Sequence, residues 1–424
     1  MRCGLAEVNI TPPLGVPIPG QLYDRRSTGI KDDLFAKAVV VDDGTNIAAF
    51  VTLDALAVER DIVSAIRERI SNATGILPEA IMVSATHTHT GPPIIAVYGN
   101  RRDDEYVNYM IKKASDAAIL AFKDLRPVEI GAGIGHEDSI AFNRRFLMED
   151  GTVLTNPGVN NPSIVKPIGP IDPQLVVLMI DDKDGYPLGA ILNYTCHLDV
   201  VGGDEYSADY PGEISKVLKR LYGDDFVSIF FTGTCGNINH IDVTGKMDTK
   251  GEHYKKMGRI LAGEAFKVMQ NVEYIDEPKV SFDSRYVKVG VRKAGAEDIE
   301  RAKKVLKSSD STESDILFAR DIIALSKSPI DAVELEVQVI GIGEFVVVGL
   351  PGEVFVEFGL DIKNKSKFKY TVVSELTNGS HGYIPVREAF EQGGYEPRLS
   401  QYTNLVPETG YILVDKAVEI LDLI

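Results

Sequence analysis

Apolar positions along this chain fall into short runs and period-two alternations broken by turns, and between them lie stretches with helical spacing. Phe35 to Asp42 and Ile47 to Leu53 predict a hairpin across Asp43-Gly44, followed by a helix around Glu59 to Ser71. Leu175 to Ile180 and Leu188 to Tyr194 predict a second hairpin across Lys183-Asp184-Gly185. Tyr210-Pro211-Gly212-Glu213 opens a helix that runs to about Leu221, with Ser207 or Asp209 as its cap. The strand Phe226 to Phe231 ends in a glycine-bearing turn, and a helix from about His253 to Val268 follows. Glu297 to about Ser328 is charged and helix-forming, with a polar break at Ser308 to Thr312. Alternation returns at Val333, Leu335, Val337 and Val339, and turns back through Gly341 and Gly343 into Phe345 to Val348. Hairpins mixed with helices predict an α/β (mixed α+β) fold: two mixed or antiparallel β-sheets packed together and flanked by helices. No linker divides the chain and no repeat recurs.

Composition narrows the class. The chain has 424 residues, 44% hydrophobic and 25% charged, ordinary values for a globular protein with a large core. A net charge of −17 with no basic block argues against nucleic acid and anionic membrane surfaces as partners. Met1 to Glu7 lacks the apolar stretch of a signal peptide, Pro12 and Pro13 follow closely, and no apolar run of about 18 residues occurs. The expectation is a cytoplasmic protein acting on a small molecule; acidic metabolic enzymes of this size are often homo-oligomers. Cys3, Cys196 and Cys235 form neither a disulfide framework nor a thiolate zinc knuckle, so any metal must be held by histidine and oxygen ligands.

Candidate chemistry gathers at strand ends. Ala85-Thr86-His87-Thr88-His89-Thr90-Gly91-Pro92 follows the apolar run Ala80 to Val83. If the strand continues, residues two apart face one side, and both imidazoles reach one pocket. The alternative is one surface histidine and one hydrogen-bonded in the core. Of the seven histidines, His87, His89, His197, His240 and His381 all lie just past apolar runs, where a scaffold presents chemical groups. Glu353 sits between a buried strand and a helical pattern, as a site acid or as a carboxylate favoured by the helix dipole. In the turn Gly233 to Asn239, Cys235 is a packing residue or a nucleophile, and the backbone around Gly236 and Asn237 could approach a substrate oxygen closely. No Lys-Ser/Thr pair follows, so this is not a phosphate loop.

Taken in order, these motifs resemble the catalytic domain of the neutral ceramidases. The resemblance rests on Thr-His-Thr-His-Thr-Gly-Pro at 86 to 92, Asn193 with His197, Gly236-Asn237-Ile238-Asn239, and Pro351-Gly352-Glu353-Val354. It continues in Gly382-Tyr383 with Arg387-Glu388 and Tyr395, and runs from Asn9-Ile10-Thr11-Pro12 to about Pro397. It implies one zinc ion per chain, held by His87, His197, Glu353 and Tyr383, whose bound hydroxide attacks a carbonyl carbon. His89 and Tyr395 match positions near the substrate carbonyl, and Arg144 matches an active-site arginine suited to an oxyanion.

Two departures bear on the substrate. Cys235 stands where the ceramidases carry serine, and the expectation is a protein without the family's extra C-terminal domain and without a secretion signal. With no tryptophan either, the expectation is one domain over residues 1–424 acting on a small soluble substrate instead of a membrane lipid. An amide, a lactone or a cyclic diketone derived from a sugar or cyclitol fits, which would place the enzyme in carbohydrate or cyclitol metabolism. The competing readings are a Cys235-dependent hydrolase and a non-catalytic binding protein on the same scaffold.

Overall fold

Alternation along the strand Gln174–Asp182 divides its side chains between two cores. Val176, Leu178 and Ile180 enter one; Leu175, Val177 and Met179 enter the other. This strand lies in a nine-stranded sheet whose order is Val227–Thr232, Pro187–Tyr194, Gln174–Asp182, Arg126–His136, Arg2–Asn9, Phe35–Asp42, Ile47–Leu53 and Ile81–Ala85, with Glu273–Tyr274 beside Arg126–His136. Its two end pairs are parallel and the others antiparallel. The structure is a computed structural model that describes residues 1–424 except Tyr98 and Asn100, so two positions of the Ile94–Arg102 loop lie outside the described residues.

A second, four-stranded sheet runs Val280–Gly290, Ala332–Ile342, Phe345–Gly349 and Tyr370–Ser374. Phe345 and Val347 join the core shared with the first sheet, whereas Val346 and Val348 turn to the helices Val356–Lys365 and Thr409–Leu423. Helices Asp209–Tyr222 and His253–Met269 cover the outer face of the first sheet. The layers are therefore helix, sheet, sheet, helix, in accord with the mixed, helix-flanked pair of sheets expected from the hydrophobic pattern.

The anticipated hairpins form, and the helix after the first one spans Arg60–Thr74. The polar break after Ala296–Lys307 has a job: Thr312 caps Glu313–Leu325 by accepting from the Asp315 amide. The cap of Asp209–Tyr222 is Ala208, while the Ser207 hydroxyl accepts from the Asp209 amide at 3.1 Å. No described helix is long and apolar enough to cross a membrane.

Phe50 and Phe231 meet edge-to-face in the core shared by the two sheets, with ring centroids 5.9 Å apart and no exposed surface. Phe50→Ala is expected to cost about 3–5 kcal/mol through lost burial and a residual cavity. Urea denaturation should show the unfolding transition moved to clearly lower urea; an unmoved midpoint would contradict this packing.

Candidate metal centre

Strand ends from both sheets meet at one buried point. The strand Ile81–Ala85 stops two residues before His87, which has a left-handed backbone (φ 76°) held by its amide bond to the Ala55 carbonyl. The shared pocket of His87 and His89 thus comes from a turn and not from strand alternation, because the chain has already left the sheet. His89 is fixed by its amide bond to the Leu198 carbonyl, and His197 by its amide bond to the Ile238 carbonyl. Glu353 lies on a two-residue strand, Glu353–Val354, paired in parallel with Tyr383–Ile384 so that Glu353 and Tyr383 stand side by side. Helix Val356–Lys365 begins only three residues later, so Glu353 is not a first-turn carboxylate.

Each imidazole is oriented from behind. The Nδ1 atoms of His87, His89 and His197 face the carbonyls of Leu56, Gly20 and Cys235 at 2.8, 2.8 and 2.9 Å. A carbonyl can only accept, so each Nδ1 carries a proton, and in the neutral ring each Nε2 presents a lone pair. Those Nε2 atoms converge: His87 to His197 is 3.1 Å and His87 to His89 is 3.4 Å. Glu353 Oε2 lies 3.4 Å from His87 Nε2 and 3.2 Å from His197 Nε2, and no hydrogen-bond donor among the described residues reaches it.

Three acceptors within 3.1–3.4 Å of one another repel unless a proton or cation lies among them. Ligands at ordinary zinc distances around a tetrahedral ion are about 3.3 Å apart, so His87, His197 and Glu353 have the spacing of one face of such a site. The donor set therefore fits zinc, and the buried group His87, His89 and His197 could hold a metal ion. His89 adjoins the His87 corner.

Charge follows the same geometry. Burial alone would lower the His87 pKa, but the Glu353 carboxylate raises it to about 8. Burial would raise the Glu353 pKa, yet the adjacent His87 ring, and His197 beside it, hold it well below the carboxylate range. His89 is pushed down to about 3 by burial and then by His87, which keeps its ring neutral.

A ring of neighbours, among them Tyr402 and Glu396, which no motif signalled, holds these groups in place. Tyr402 donates to Glu353 Oε1 at 2.8 Å. Arg144 lies with its guanidinium 5.4 Å from the Tyr383 ring centre, and Tyr395 and Tyr383 meet edge-to-face at 5.6 Å. The Arg144 Nε atom donates to Glu396 at 2.9 Å, while Arg145 and Thr155 donate to the other Glu396 oxygen, each at 2.8 Å. Glu396 thus ties Tyr395, the next residue in sequence, to Arg144.

The Cys235-Gly236-Asn237 turn is occupied by the protein itself. The Cys235 amide donates to Glu375, the Gly236 amide to the Val354 carbonyl, and Asn237 Oδ1 accepts from the Val356 amide. The amides of Cys235 and Gly236 are therefore not open to a substrate oxygen; the turn clamps the Glu353 segment from both sides. A Cβ on Gly236 would lie 2.5 Å from the Glu353 carbonyl oxygen, so only glycine allows this approach. Cys235 Sγ lies behind His197, 3.3 Å from Nδ1 and 3.0 Å from Glu375 Oε1. Burial and the neighbouring Glu375 push its thiol pKa well up, the reverse of what a nucleophilic cysteine needs.

No family model matches the chain. Neutral ceramidase B of Dictyostelium discoideum is 27% identical over 233 residues, a match covering 51% of this chain and 30% of that protein. The neutral ceramidase structure from Pseudomonas aeruginosa superposes with a TM-score of 0.79 at 19% identity, covering 99% of this chain and 74% of that one. A ceramidase complexed with C2 gives 0.77 at 18% identity, with the same coverage. The fold is that of the neutral ceramidases. The chain is ceramidase-like, and its match spans less than a third of the curated relative.

Gly382, which precedes Tyr383, has φ 66°, and an added Cβ would run into the Tyr402 carbonyl. Gly44 is equally left-handed (φ 87°) but has open space around it. Gly44→Ala is expected to cost about 1–2 kcal/mol from backbone strain alone. Gly382→Ala should cost more and also lower metal content, read by thermal unfolding and elemental analysis. Equal costs for the two would mean that the Tyr402 contact does not constrain the centre.

Proposed function

We propose that this protein is a zinc-dependent hydrolase of a small polar carbonyl compound: an amide, a lactone or a cyclic diketone. The observation that supports it is the acceptor triangle of His87, His197 and Glu353, with edges of 3.1, 3.2 and 3.4 Å. When bound, zinc supplies Lewis acidity and brings the pKa of a coordinated water to about 7. His87, His197 and Glu353 would hold it, and Tyr383, paired in register with Glu353, is the fourth candidate ligand.

The chain's own groups then divide the work. Neutral His89, anchored through Nδ1, keeps an Nε2 lone pair at the edge of the centre and would accept a hydrogen bond that orients an attacking water. Tyr395, which packs edge-to-face on Tyr383, would return a proton to the leaving atom. Arg144, charged and held by Glu396 and the Gly236 carbonyl, fixes Tyr383 and contributes positive potential where an oxyanion develops. Cys235 acts as packing behind His197.

Elemental analysis of the purified protein should find one zinc per chain, and His87→Ala and Glu353→Ala should each lose it. Against a panel of short N-acyl amides, lactones and cyclic diketones, chelation should abolish turnover and Cys235→Ala should retain it. The reverse pattern would replace this reading with a cysteine hydrolase. Tyr402→Phe removes the donor to Glu353 and is expected to weaken zinc binding about 10–100-fold, measured by competition with a chromophoric chelator.

A further inference from the structure

Two backbone amides behind the metal centre converge on one atom. The Cys235 amide, from the turn after Val227–Thr232, and the Val354 amide, from the short strand that carries Glu353, both donate to Glu375 Oε2, each at 3.0 Å. Two N–H groups cannot bond one another, and a buried amide without an acceptor is costly, so this junction needs an acceptor from a third segment. Glu375 supplies it from just past the strand Tyr370–Ser374, with no exposed surface. Its other oxygen accepts from Cys235 Sγ at 3.0 Å.

Each of these bonds lies one step from a corner of the triangle. The Cys235 carbonyl accepts from His197 Nδ1 at 2.9 Å, and Val354 follows Glu353 in the chain. The backbone around Glu375 reaches further. Its amide donates to the Thr232 carbonyl at 3.1 Å, and the Leu376 amide to the Gly352 carbonyl at 3.2 Å. The Leu376 carbonyl accepts at 3.2 Å from the amide of Ala85, two residues before His87. Asn378 pairs with Val83, donating from its amide at 2.8 Å and accepting through Oδ1 at 3.0 Å. Leu376 and Asn378 are left-handed, with φ 49° and 60°. That conformation is costly for a leucine and persists only where its surroundings fix it. The four residues from Glu375 to Asn378 thus bond to the segments that carry all three corners.

The geometry points to Glu375 as a positioning residue of the metal centre, whose one carboxylate oxygen fixes the His197–Glu353 edge of the triangle. That edge joins a ligand carried by the first sheet to one carried by the second. Glu375 touches neither metal nor substrate and acts through Cys235 and Val354. The path runs through the Cys235 backbone, so the Cys235 side chain can change without breaking it. The inference rests on the zinc reading above for what the centre holds, and on the hydrogen bonds alone for how the centre is shaped.

The test uses the full chain with ring-labelled histidine, first zinc-free and then titrated with zinc against a chromophoric chelator. Glu375→Met fills similar space but accepts no amide hydrogen bond. Glu375→Gln keeps an oxygen for both amides, and because burial pushes the Glu375 pKa up to about 8, its neutral side chain is a close stand-in. In Glu375→Met the zinc-free His197 ring should lose its Nδ1-protonated signature, and zinc should bind about tenfold or more weakly. Glu375→Gln should restore both. Glu375→Asp falls one methylene short of the two amides, so it should behave as Glu375→Met does and serves if that variant does not fold. An unchanged His197 signal or an unchanged zinc affinity in the folded Met or Asp variant, or a Glu375→Gln as impaired as Glu375→Met, would overturn the proposal. The zinc-free signal keeps the two readings apart. Its loss in Glu375→Met, alongside a wild type that binds no zinc, sinks the zinc reading alone, whereas equal zinc binding by wild type and Glu375→Met sinks the positioning role alone.

Discussion

The buried Glu353 carboxylate governs the rest of the site. An ionised carboxylate inside a protein costs several kcal/mol unless it is compensated. Here one oxygen receives the Tyr402 hydroxyl and the other faces two imidazole nitrogens without a donor. Everything nearby serves to keep that arrangement from relaxing. Carbonyl tethers behind each imidazole prevent ring rotation, the Gly236 turn blocks retreat of the Glu353 backbone, and Gly382 leaves room for the neighbouring strand. A site held this tightly presents its lone pairs to a cation without first having to reorganise.

The fold explains why such a point exists. Two sheets share one core, and their strands end near the same place: Ile81–Ala85 and Pro187–Tyr194 from the first, and Phe345–Gly349 leading to Glu353 from the second. Side chains beyond those ends have no ladder to join and turn into the gap. The outer helices spend their apolar stripes on the far faces of the sheets, and only the start of Val356–Lys365 touches the site, through Asn237.

Much of this was legible in the sequence, for definite reasons. Period-two apolar runs divided by Asp-Gly and Gly-x-Gly turns located the hairpins, and histidines placed just past those runs marked the site. The order of short motifs carried the likeness to ceramidases. What could not be read were contacts between segments far apart in the chain. Tyr402 lies in a polar loop with no periodicity, and its bond to Glu353 spans 49 positions. Glu396 gives no signal beyond following Tyr395, because its role depends on Arg144 and Arg145 some 250 positions earlier. The glycine turn at 236 suggested open amides; only the folded chain shows that Glu375 and Val354 have taken them. The left-handed His87 was likewise hidden, since the strand pattern gives no sign of where pairing stops.

The provenance of the three triangle corners has a mechanical consequence. His87 and His197 hang from the first sheet and Glu353 from the second, so any ion gripped by all three fastens the two sheets at the rim of their common core. Such a clasp joins segments hundreds of residues apart, where the chain by itself supplies the least restraint on sliding. An ion held there would add to the restraint that the shared core and the bonds of Ser84 with Ser374 and Thr377 already supply.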